Sequence, residues 1–230
     1  MDSFSPLKFQ KDAVEQLQET FVKLWKTDKR QIPLVFKSPT GSGKTYMLAH
    51  FVHGLNHLPN WDQDKAFIWI TFSDDIAMQS KDKFSHYFEN SLENDLLTVN
   101  DIDNGKLCKN DILFLNWQKI VAKNAETRLL RRPSDEKMLK ESGIYFEDFI
   151  DATRAEKREI ILVIDEAHTH VTMKAQEMID YIDPKIILHV TATQKDEIEL
   201  QARRLSSFIE VNREDVVEQG LIKEKIVIHS

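Results

Sequence analysis

The stretch that decides the fold is "SPTGSGKT", which runs from Ser38 to Thr45. Two of the six glycines in the chain, Gly41 and Gly43, lie in it, directly before Lys44. Glycine adopts backbone angles that turn successive N–H groups toward one point, and such a turn forms a nest for an anion. The concentration of glycine in a glycine-poor chain therefore indicates a loop that holds a charged group.

The residues on either side of this loop predict a strand before it and a helix after it. The preceding stretch "IPLVFKS" (Ile32–Ser38) is a short apolar run, which is typical of a strand buried on both faces. The positive end of the following helix adds to the attraction for an anion. A phosphate-binding loop fits this context better than a plain glycine turn with an exposed lysine. The apolar residues at helical spacing after the loop are Met47, Leu48, Phe51, Val52 and Leu55.

The loop also carries the side chains that a nucleoside triphosphate needs. Lys44 brings a full positive charge to the β- and γ-phosphates, and the Thr45 hydroxyl is a hard oxygen ligand for Mg²⁺. The strict phosphate-loop pattern has glycine at its first position, where this chain has Ser38. We expect the loop to bind the triphosphate through Pro39, Thr40, Gly41, Ser42, Gly43, Lys44 and Thr45.

A second apolar run ends in acidic residues. The stretch "EIILVID" (Glu159–Asp165) predicts another buried strand, and "EAH" follows it. Asp165 at the strand tip could reach Mg²⁺ through its water shell, and Glu166 could polarise a water that attacks the γ-phosphate. An exposed acidic turn is the alternative interpretation. We expect Lys44, Asp165 and Glu166 to be catalytic, with Thr45 and Asp165 holding Mg²⁺.

A third strand tip carries two threonines, Thr191 and Thr193, in "HVTATQ". Short hydroxyl side chains at this place can hydrogen-bond the acidic loop and transmit its state outward. The triplet "TAT" alone is usually a capped turn. Its place after the strand that follows the acidic motif favours the coupling role.

Apolar runs alternate with amphipathic segments along the whole chain. This alternation predicts an α/β fold, a mainly parallel sheet with helices on both faces. Right-handed crossovers then place the carboxyl ends of the strands at one edge. We expect a first helix at about 12–26, and a helical insertion at about 118–158 within a single domain that covers 1–230. The further strand candidates are Ala66–Phe72, Asp111–Trp117, Lys185–Thr191, Phe208–Val211 and Lys225–His229.

Composition excludes several classes of protein. The net charge of −7 argues against a surface covered with basic patches for nucleic acid, although it leaves room for a narrow groove. The single cysteine, Cys108, excludes an internal disulfide framework and a cysteine-rich zinc site. No run approaches the roughly 18 apolar residues that cross a bilayer, and the N-terminus has no signal pattern. We therefore expect a cytoplasmic protein that does not contact a membrane.

Together, "SPTGSGKT", "DEAH" and "TAT" resemble the first RecA-like domain of superfamily 2 helicases and translocases. Within that superfamily, "FLNWQKI" (Phe114–Ile120), "DEAHTH" and "EDVVEQGLIKEKIVIH" are similar to the Res subunit of type III restriction enzymes. The resemblance covers nearly all of the chain. It implies a RecA-like P-loop NTPase domain and a DNA-dependent ATPase, a helicase or translocase that uses ATP and Mg²⁺.

The resemblance also implies roles for single residues and partners. Gln10, in "LKFQKDAVEQL", matches the upstream glutamine whose amide reads adenine, with a plain surface residue as the alternative. His168, Thr191 and Thr193 match positions that couple the ATP state to DNA. The implied partners are DNA, contacted through its backbone, a second RecA-like domain downstream that supplies arginine fingers, and a modification methyltransferase subunit.

Two segments at the same sheet edge are candidate DNA contacts. They are the stretch after Phe72 ("SDDIAMQSKDK") and the stretch 116–118. Asp74 and Asp75 are unfavourable beside phosphates, and Trp117 could equally be a core aromatic.

Two other functions stay open on the sequence alone. One is a non-catalytic, nucleotide-dependent binding module, which would not need Glu166. The other is a motor domain from another superfamily 2 family, such as a type I restriction translocase. No second phosphate-sensing domain is visible after Thr193, so we expect the N-terminal part of a longer motor, weakly active or inactive alone.

The pair His168 and His170 has no evident third ligand, so we do not expect a metal site there.

Overall fold

The computed structural model of the chain describes residues 6–87, 95–102, 105–121, 129–131, 144–165, 172–193 and 196–222. Strands and helices alternate through these ranges. The strands are β1 (Ile32–Lys37), β2 (Lys65–Thr71), β3 (Leu96–Leu97), β4 (Ile112–Asn116), β5 (Leu129–Arg131), β6 (Ile144–Tyr145), β7 (Glu159–Asp165), β8 (Ile186–Thr191) and β9 (Phe208–Glu210). The α-helices are α1 (Lys8–Trp25), α2 (Lys44–Asn56), α3 (Asp74–Tyr87), α4 (Trp117–Ile120), α5 (Phe146–Ala155), α6 (Met173–Ile182), α7 (Asp196–Arg204) and α8 (Arg213–Glu218).

Seven of the strands form one sheet in the order β3-β4-β2-β7-β8-β1-β9, and every neighbouring pair is parallel. Parallel neighbours cannot be joined by a hairpin, so the chain crosses over between them, mostly through helices. β1 lies between β8 and β9, which come much later in the chain. At this junction the Ser207 hydroxyl donates to the Pro33 carbonyl across 174 positions of sequence. Because all seven strands are parallel, their carboxyl ends lie at one edge of the sheet.

Side chains of each strand alternate between the two faces of the sheet, and helices bury both faces. In β2, Phe67 and Trp69 belong to one apolar cluster, whereas Ile68 and Ile70 belong to the other. The first cluster also contains side chains of α1, α2, α3 and α8, and the second contains side chains of α4, α5 and α6. Burial on both faces explains why the central strands are almost uninterrupted apolar runs in the sequence.

The strands predicted within the described ranges are confirmed, and their ends differ from the prediction by one residue or less. The first helix begins at Lys8, four residues before the predicted start at 12, and ends at Trp25. Its extra turn is closed by Gln10, whose side chain accepts the Leu7 N–H at 3.0 Å. The predicted strand Lys225–His229 lies outside the described residues.

The segment at 118–158, which we expected to be helical, also contains a strand pair. Its described parts hold the end of α4, the antiparallel pair β5 and β6, and α5. Phe146, Phe149 and Ile150 of α5 are buried in the second cluster at the helical spacing that predicted this helix. Strands of three and two residues are too short to show a period of two, so the sequence pattern gave no sign of them.

The longest helix in the described ranges is α1, with 18 residues. It buries one face, including Leu17 and Phe21, and leaves charged residues outside. Throughout those ranges, no helix is both long enough and apolar enough to span a membrane.

Candidate functional site

Three neighbouring strands, β7, β8 and β1, bring the predicted site residues to one edge of the sheet. Asp165, the last residue of β7, is in register with Val190 of β8. Lys37, the last residue of β1, is in register with Thr191. The loop that begins at Ser38 therefore lies beside Thr191 and one further strand from Asp165.

The loop after β1 has the backbone that its glycines predict. Gly41 and Gly43 both have left-handed backbone angles, with φ of 85° and 86°. α2 begins at Lys44, and the Met47 N–H donates to the Gly43 carbonyl at 3.0 Å. A β-carbon added at Gly43 would lie 2.8 Å from the amide nitrogen of Gln10. The left-handed backbone angle therefore favours glycine at this position, and an added β-carbon would also displace the Gln10 amide.

Ser38, where the phosphate-loop pattern has glycine, has a defined partner. Its hydroxyl lies 2.6 Å from the Ser42 hydroxyl, and both side chains are fully buried. The Ser38 N–H donates to the Thr191 carbonyl at 3.0 Å, and the Ser42 N–H donates to the Pro39 carbonyl at 3.2 Å. The hydroxyl pair closes the loop across its base. The sequence shows two serines four residues apart, but this spacing alone does not reveal that they face each other.

Lys44 lies against the same loop. Its ammonium group donates to the Ser38 carbonyl at 3.2 Å, and its side chain is half-buried. Thr45 is half-buried as well, whereas Thr40 and Gly41 at the tip of the loop are exposed. A positive charge held beside a glycine loop with left-handed backbone angles favours an anion as the occupant.

Gln10 braces the loop from α1. Its side-chain amide donates to the Ser42 carbonyl at 3.0 Å, its side-chain oxygen accepts the Leu7 N–H, and only 5% of the residue is exposed. The structure therefore places Gln10 at the phosphate loop rather than on the open surface. The contact with adenine stays a prediction.

The acidic motif is described only at its first residue. Asp165 is half-buried at the end of β7. Glu166 and His168 lie outside the described residues, so their predicted roles stay predictions. Across the described ranges, no group of three or more histidine, cysteine or acidic side chains is arranged to hold a metal ion. Thr45 and Asp165 would supply two oxygen ligands to Mg²⁺, and phosphate and water oxygens are the usual further ligands of this ion.

The two threonines after β8 bond to each other. Thr191 is fully buried, and its hydroxyl donates to the Thr193 carbonyl at 2.8 Å. The same hydroxyl accepts the Thr193 N–H at 3.0 Å. The hydroxyl thus fixes the shape of its own turn, directly beside the base of the phosphate loop. The acidic loop after Asp165 lies outside the described residues, so the predicted bond to it stays a prediction.

The two candidate DNA segments meet at the next part of the edge. The Asn116 side-chain amide donates to the Asp74 carboxylate at 2.5 Å, which joins the end of β4 to the start of α3. The Asn116 side-chain oxygen accepts the Lys119 N–H at 3.0 Å and begins α4. Trp117 is half-buried and packs against the second cluster, as the core interpretation predicts.

Sequence reasoning assigned no role to His189, which is buried in the sheet two residues before Thr191. It lies in register with Val35 and Ile164, and 6% of the residue is exposed. Burial lowers the pKa of its imidazole to about 4, so it is neutral at pH 7. A polar residue within an apolar strand was the only signal available in the sequence.

A cavity of about 690 Å³ adjoins the phosphate loop on the side of β9. Its far wall is the connection between β9 and α8. Ile222 lies so near the loop that a β-carbon added at Gly41 would be 3.0 Å from its methyl group. The residues that line the cavity include Pro39, Thr40, Val211, Asn212, Arg213 and Ile222.

One protein-family model matches most of the chain. A family model described as "Type III restriction enzyme, res subunit" matches residues 3–196. The chain belongs to this family. The predicted resemblance to the first RecA-like domain of superfamily 2 helicases, and within it to the type III Res subunit, is confirmed.

Two solved structures are similar to this Res-family chain. One is a nuclease-deletion mutant of the Type ISP restriction-modification enzyme LlaGI, in complex with a DNA substrate mimic. Its sequence is 13% identical, and its TM-score is 0.50. The match covers 94% of this chain and 21% of the LlaGI chain. Dbp5 of S. cerevisiae, bound to Nup159, Gle1, IP6 and ADP, is 16% identical with a TM-score of 0.48, over 90% of this chain and 48% of that one.

The chain thus spans about half the length of Dbp5 and about a fifth of that of LlaGI. At such low identity, the likeness to LlaGI shows the fold alone, and it confirms the predicted RecA-like α/β architecture. No curated protein matches the chain in sequence.

Proposed function

We propose that this chain is the ATP-binding half of a DNA-dependent ATPase, a helicase or translocase that serves as the restriction subunit of a type III restriction-modification system. One observation carries the proposal. The glycine loop with Lys44 and the strand that ends at Asp165 lie at the same sheet edge, separated only by β8. Phosphate binding and metal binding need these two elements at one edge of the sheet.

The residues at this edge fit ATP and Mg²⁺ by their chemistry. The loop offers backbone N–H groups and the Lys44 ammonium to phosphate oxygens. The Thr45 hydroxyl and the Asp165 carboxylate are the hard oxygen ligands that Mg²⁺ prefers, and the bound ion would neutralise charge on the phosphates. Glu166, the next residue along the chain, would orient and deprotonate the attacking water.

Coupling to DNA would start from the turn after β8. Thr191 bonds to the loop base through its carbonyl and to Thr193 through its hydroxyl, so the turn would follow movements of the phosphate loop. We assign His168 to the same relay. The DNA backbone, a second RecA-like domain and a methyltransferase subunit are the partners that we propose. LlaGI is described with a DNA substrate mimic, and we extend that ligand class to this chain as part of the proposal.

The test is ATP binding and phosphate release by residues 1–230 with Mg²⁺, with and without duplex DNA. Lys44→Ala should abolish binding, because it removes the only full charge in the loop. Lys106→Ala is the matched control, since it removes a half-buried lysine that pairs with Glu156 and lies outside the candidate site. Glu166→Gln should keep binding and lose release.

We expect ATP binding that depends on Lys44, with slow turnover. The proposed partner domain supplies the arginine finger, which is worth about 10³–10⁵ in rate in other NTPases. Multiple turnovers per second by residues 1–230 would contradict the half-site assignment. Binding that is equal in native protein and Lys44→Ala would contradict the whole proposal. Lys44-dependent binding without any DNA-stimulated release, even with the downstream domain added, would favour a non-catalytic nucleotide-dependent module.

A further inference from the structure

A groove of about 590 Å³ runs along the second half of α1. Its other wall is the loop after α2, with Leu58, Pro59 and Trp61. Val22 and Leu58 are half-buried and pack against the first apolar cluster, so the floor of the groove is apolar. The rim on the α1 side carries four exposed charged side chains, which are Glu15, Glu19, Lys23 and Lys26.

These rim charges have no ion-pair partner in the part of the chain that the structure describes. Glu19 and Lys23 are four residues apart, a spacing at which ion pairs form along a helix. In α7 the same spacing joins Glu199 to Arg203 at 2.7 Å, whereas in α1 the pair is not formed. The rim charges therefore stay available to charges on another molecule.

The order of the charges makes the rim complementary to a copy of itself. The two acidic residues come first and the two basic residues follow, and spacings of four, four and three residues keep all of them on one stripe of the helix. When a second α1 lies antiparallel to the first, the acidic end of each stripe faces the basic end of the other. A two-fold axis near the middle of the stripe places Glu19 opposite Lys23 of the second copy. The same axis places Glu15 opposite Lys26, and Val22 then lies at the centre of the contact.

We propose that this groove is a self-association surface, through which two copies of the chain form a two-fold symmetric dimer with antiparallel α1 helices. The partner is a second copy because a two-fold contact requires a surface that complements itself, and this rim does so by charge. Gln10, at the phosphate loop, lies about 24 Å along the helix axis from Lys26. The antiparallel arrangement therefore places the two phosphate loops at opposite ends of the helix pair. The inference does not depend on the proposed function.

The contact should be weak and sensitive to salt. It involves one helix and one short loop from each copy, and exposed ion pairs contribute little individually. Sedimentation velocity of residues 1–230 over a range of protein concentrations measures the association. Raising NaCl from about 0.05 M to about 1 M should shift the protein toward monomer, because salt screens exposed charges. Association that is unchanged or strengthened by salt would contradict the ion pairs.

Charge reversal gives the decisive experiment. In Glu19→Lys, and likewise in Lys23→Glu, two attractive contacts across the axis become repulsive. Each variant alone should therefore self-associate at least about tenfold more weakly than native protein. An equimolar mixture of the two variants should dimerise like native protein, because each then faces the opposite charge on the other. The double variant Glu19→Lys/Lys23→Glu should also dimerise, because the exchange keeps the two stripes complementary.

Lys174→Glu and Glu177→Lys are the matched controls. They make the same changes of charge at exposed positions of α6, a helix that packs on the other face of the sheet. Both should self-associate like native protein, and mixing them should have no effect. Circular dichroism of every variant checks that the fold is kept.

Four results would overturn the proposal. Native protein that stays monomeric at about 1 mM would leave the groove to a different partner. Rim variants that dimerise like native protein would place the contact on another surface. Rim variants that stay monomeric even when mixed would exclude the antiparallel pairing of Glu19 with Lys23. An equal loss of association in the α6 controls would show that net charge governs association.

Discussion

At the scale of single residues, the base of the phosphate loop depends on two buried hydroxyls. Ser38 and Ser42 are each other's side-chain partner at 2.6 Å, and neither is exposed to water. Removing one leaves the other buried and without a partner, which costs about 1–3 kcal/mol, whereas removing both avoids that penalty. The serine at the first loop position therefore takes part in a local interaction that glycine could not make.

The two hydroxyls should give a non-additive double-mutant cycle. Ser38→Ala and Ser42→Ala should each lower the free energy of unfolding by about 1–3 kcal/mol, and the double variant should lose clearly less than the sum. Urea denaturation of the four proteins measures the cycle. Strict additivity would mean that the hydroxyls act independently and that the pair does not close the loop.

The buried imidazole of His189 should make the folding stability of the protein depend on pH. Its pKa is lowered to about 4 by burial, from 6.5 in the unfolded chain, so between these values the unfolded state binds more protons. Stability should therefore fall as the pH drops from 6.5 to 4, by an amount on the order of 2–3 kcal/mol from this residue. His189→Leu should flatten the stability profile in that window. An unchanged profile in the variant would show that other groups cause the acid sensitivity.

At the scale of elements, the junction between β1 and α2 depends on glycine. Gly43→Ala should lower stability by more than the roughly 1–2 kcal/mol typical of a left-handed alanine, because the new β-carbon also meets Gln10 at 2.8 Å. Gly220→Ala is the matched control, since Gly220 has φ of 77° and no atom within 4 Å of an added β-carbon. Thermal unfolding compares the two variants, and equal losses would show that the contact with Gln10 has no energetic effect.

The sequence predicted those elements whose pattern extends over several residues. The strands β7 and β8 were predictable because a strand that is buried on both faces appears in the sequence as a long apolar run. The phosphate loop was predictable because backbone positions with φ above zero select glycine. The strands β5 and β6 were missed because three and two residues carry no period. The contacts of Ser38 and Gln10 were missed because they join positions whose proximity depends on the packing of separate elements.

At the scale of the whole molecule, the two apolar clusters share one sheet. Trp25, Trp61 and Trp69 lie in or against the first cluster, and Trp117 packs against the second. Because β2, β4, β7 and β8 each contribute side chains to both clusters, loss of either cluster removes support from the other. We therefore expect a single cooperative unfolding transition.

The tryptophans make this expectation measurable. In Trp117→Phe, fluorescence reports on the first cluster alone, while hydrogen exchange of α5 and α6 reports on the second. The two urea midpoints should coincide within error. Separate midpoints would show that the two faces of the sheet unfold independently.

The position of β1 between β8 and β9 also has a consequence for synthesis. When the ribosome has made the phosphate loop, neither neighbour of its strand exists, because β8 begins at Ile186 and β9 at Phe208. At about 5–20 residues per second, roughly 8–30 s pass before the first partner strand is available. During that time the nascent chain carries an apolar strand with both edges open, which is the kind of segment that chaperones bind.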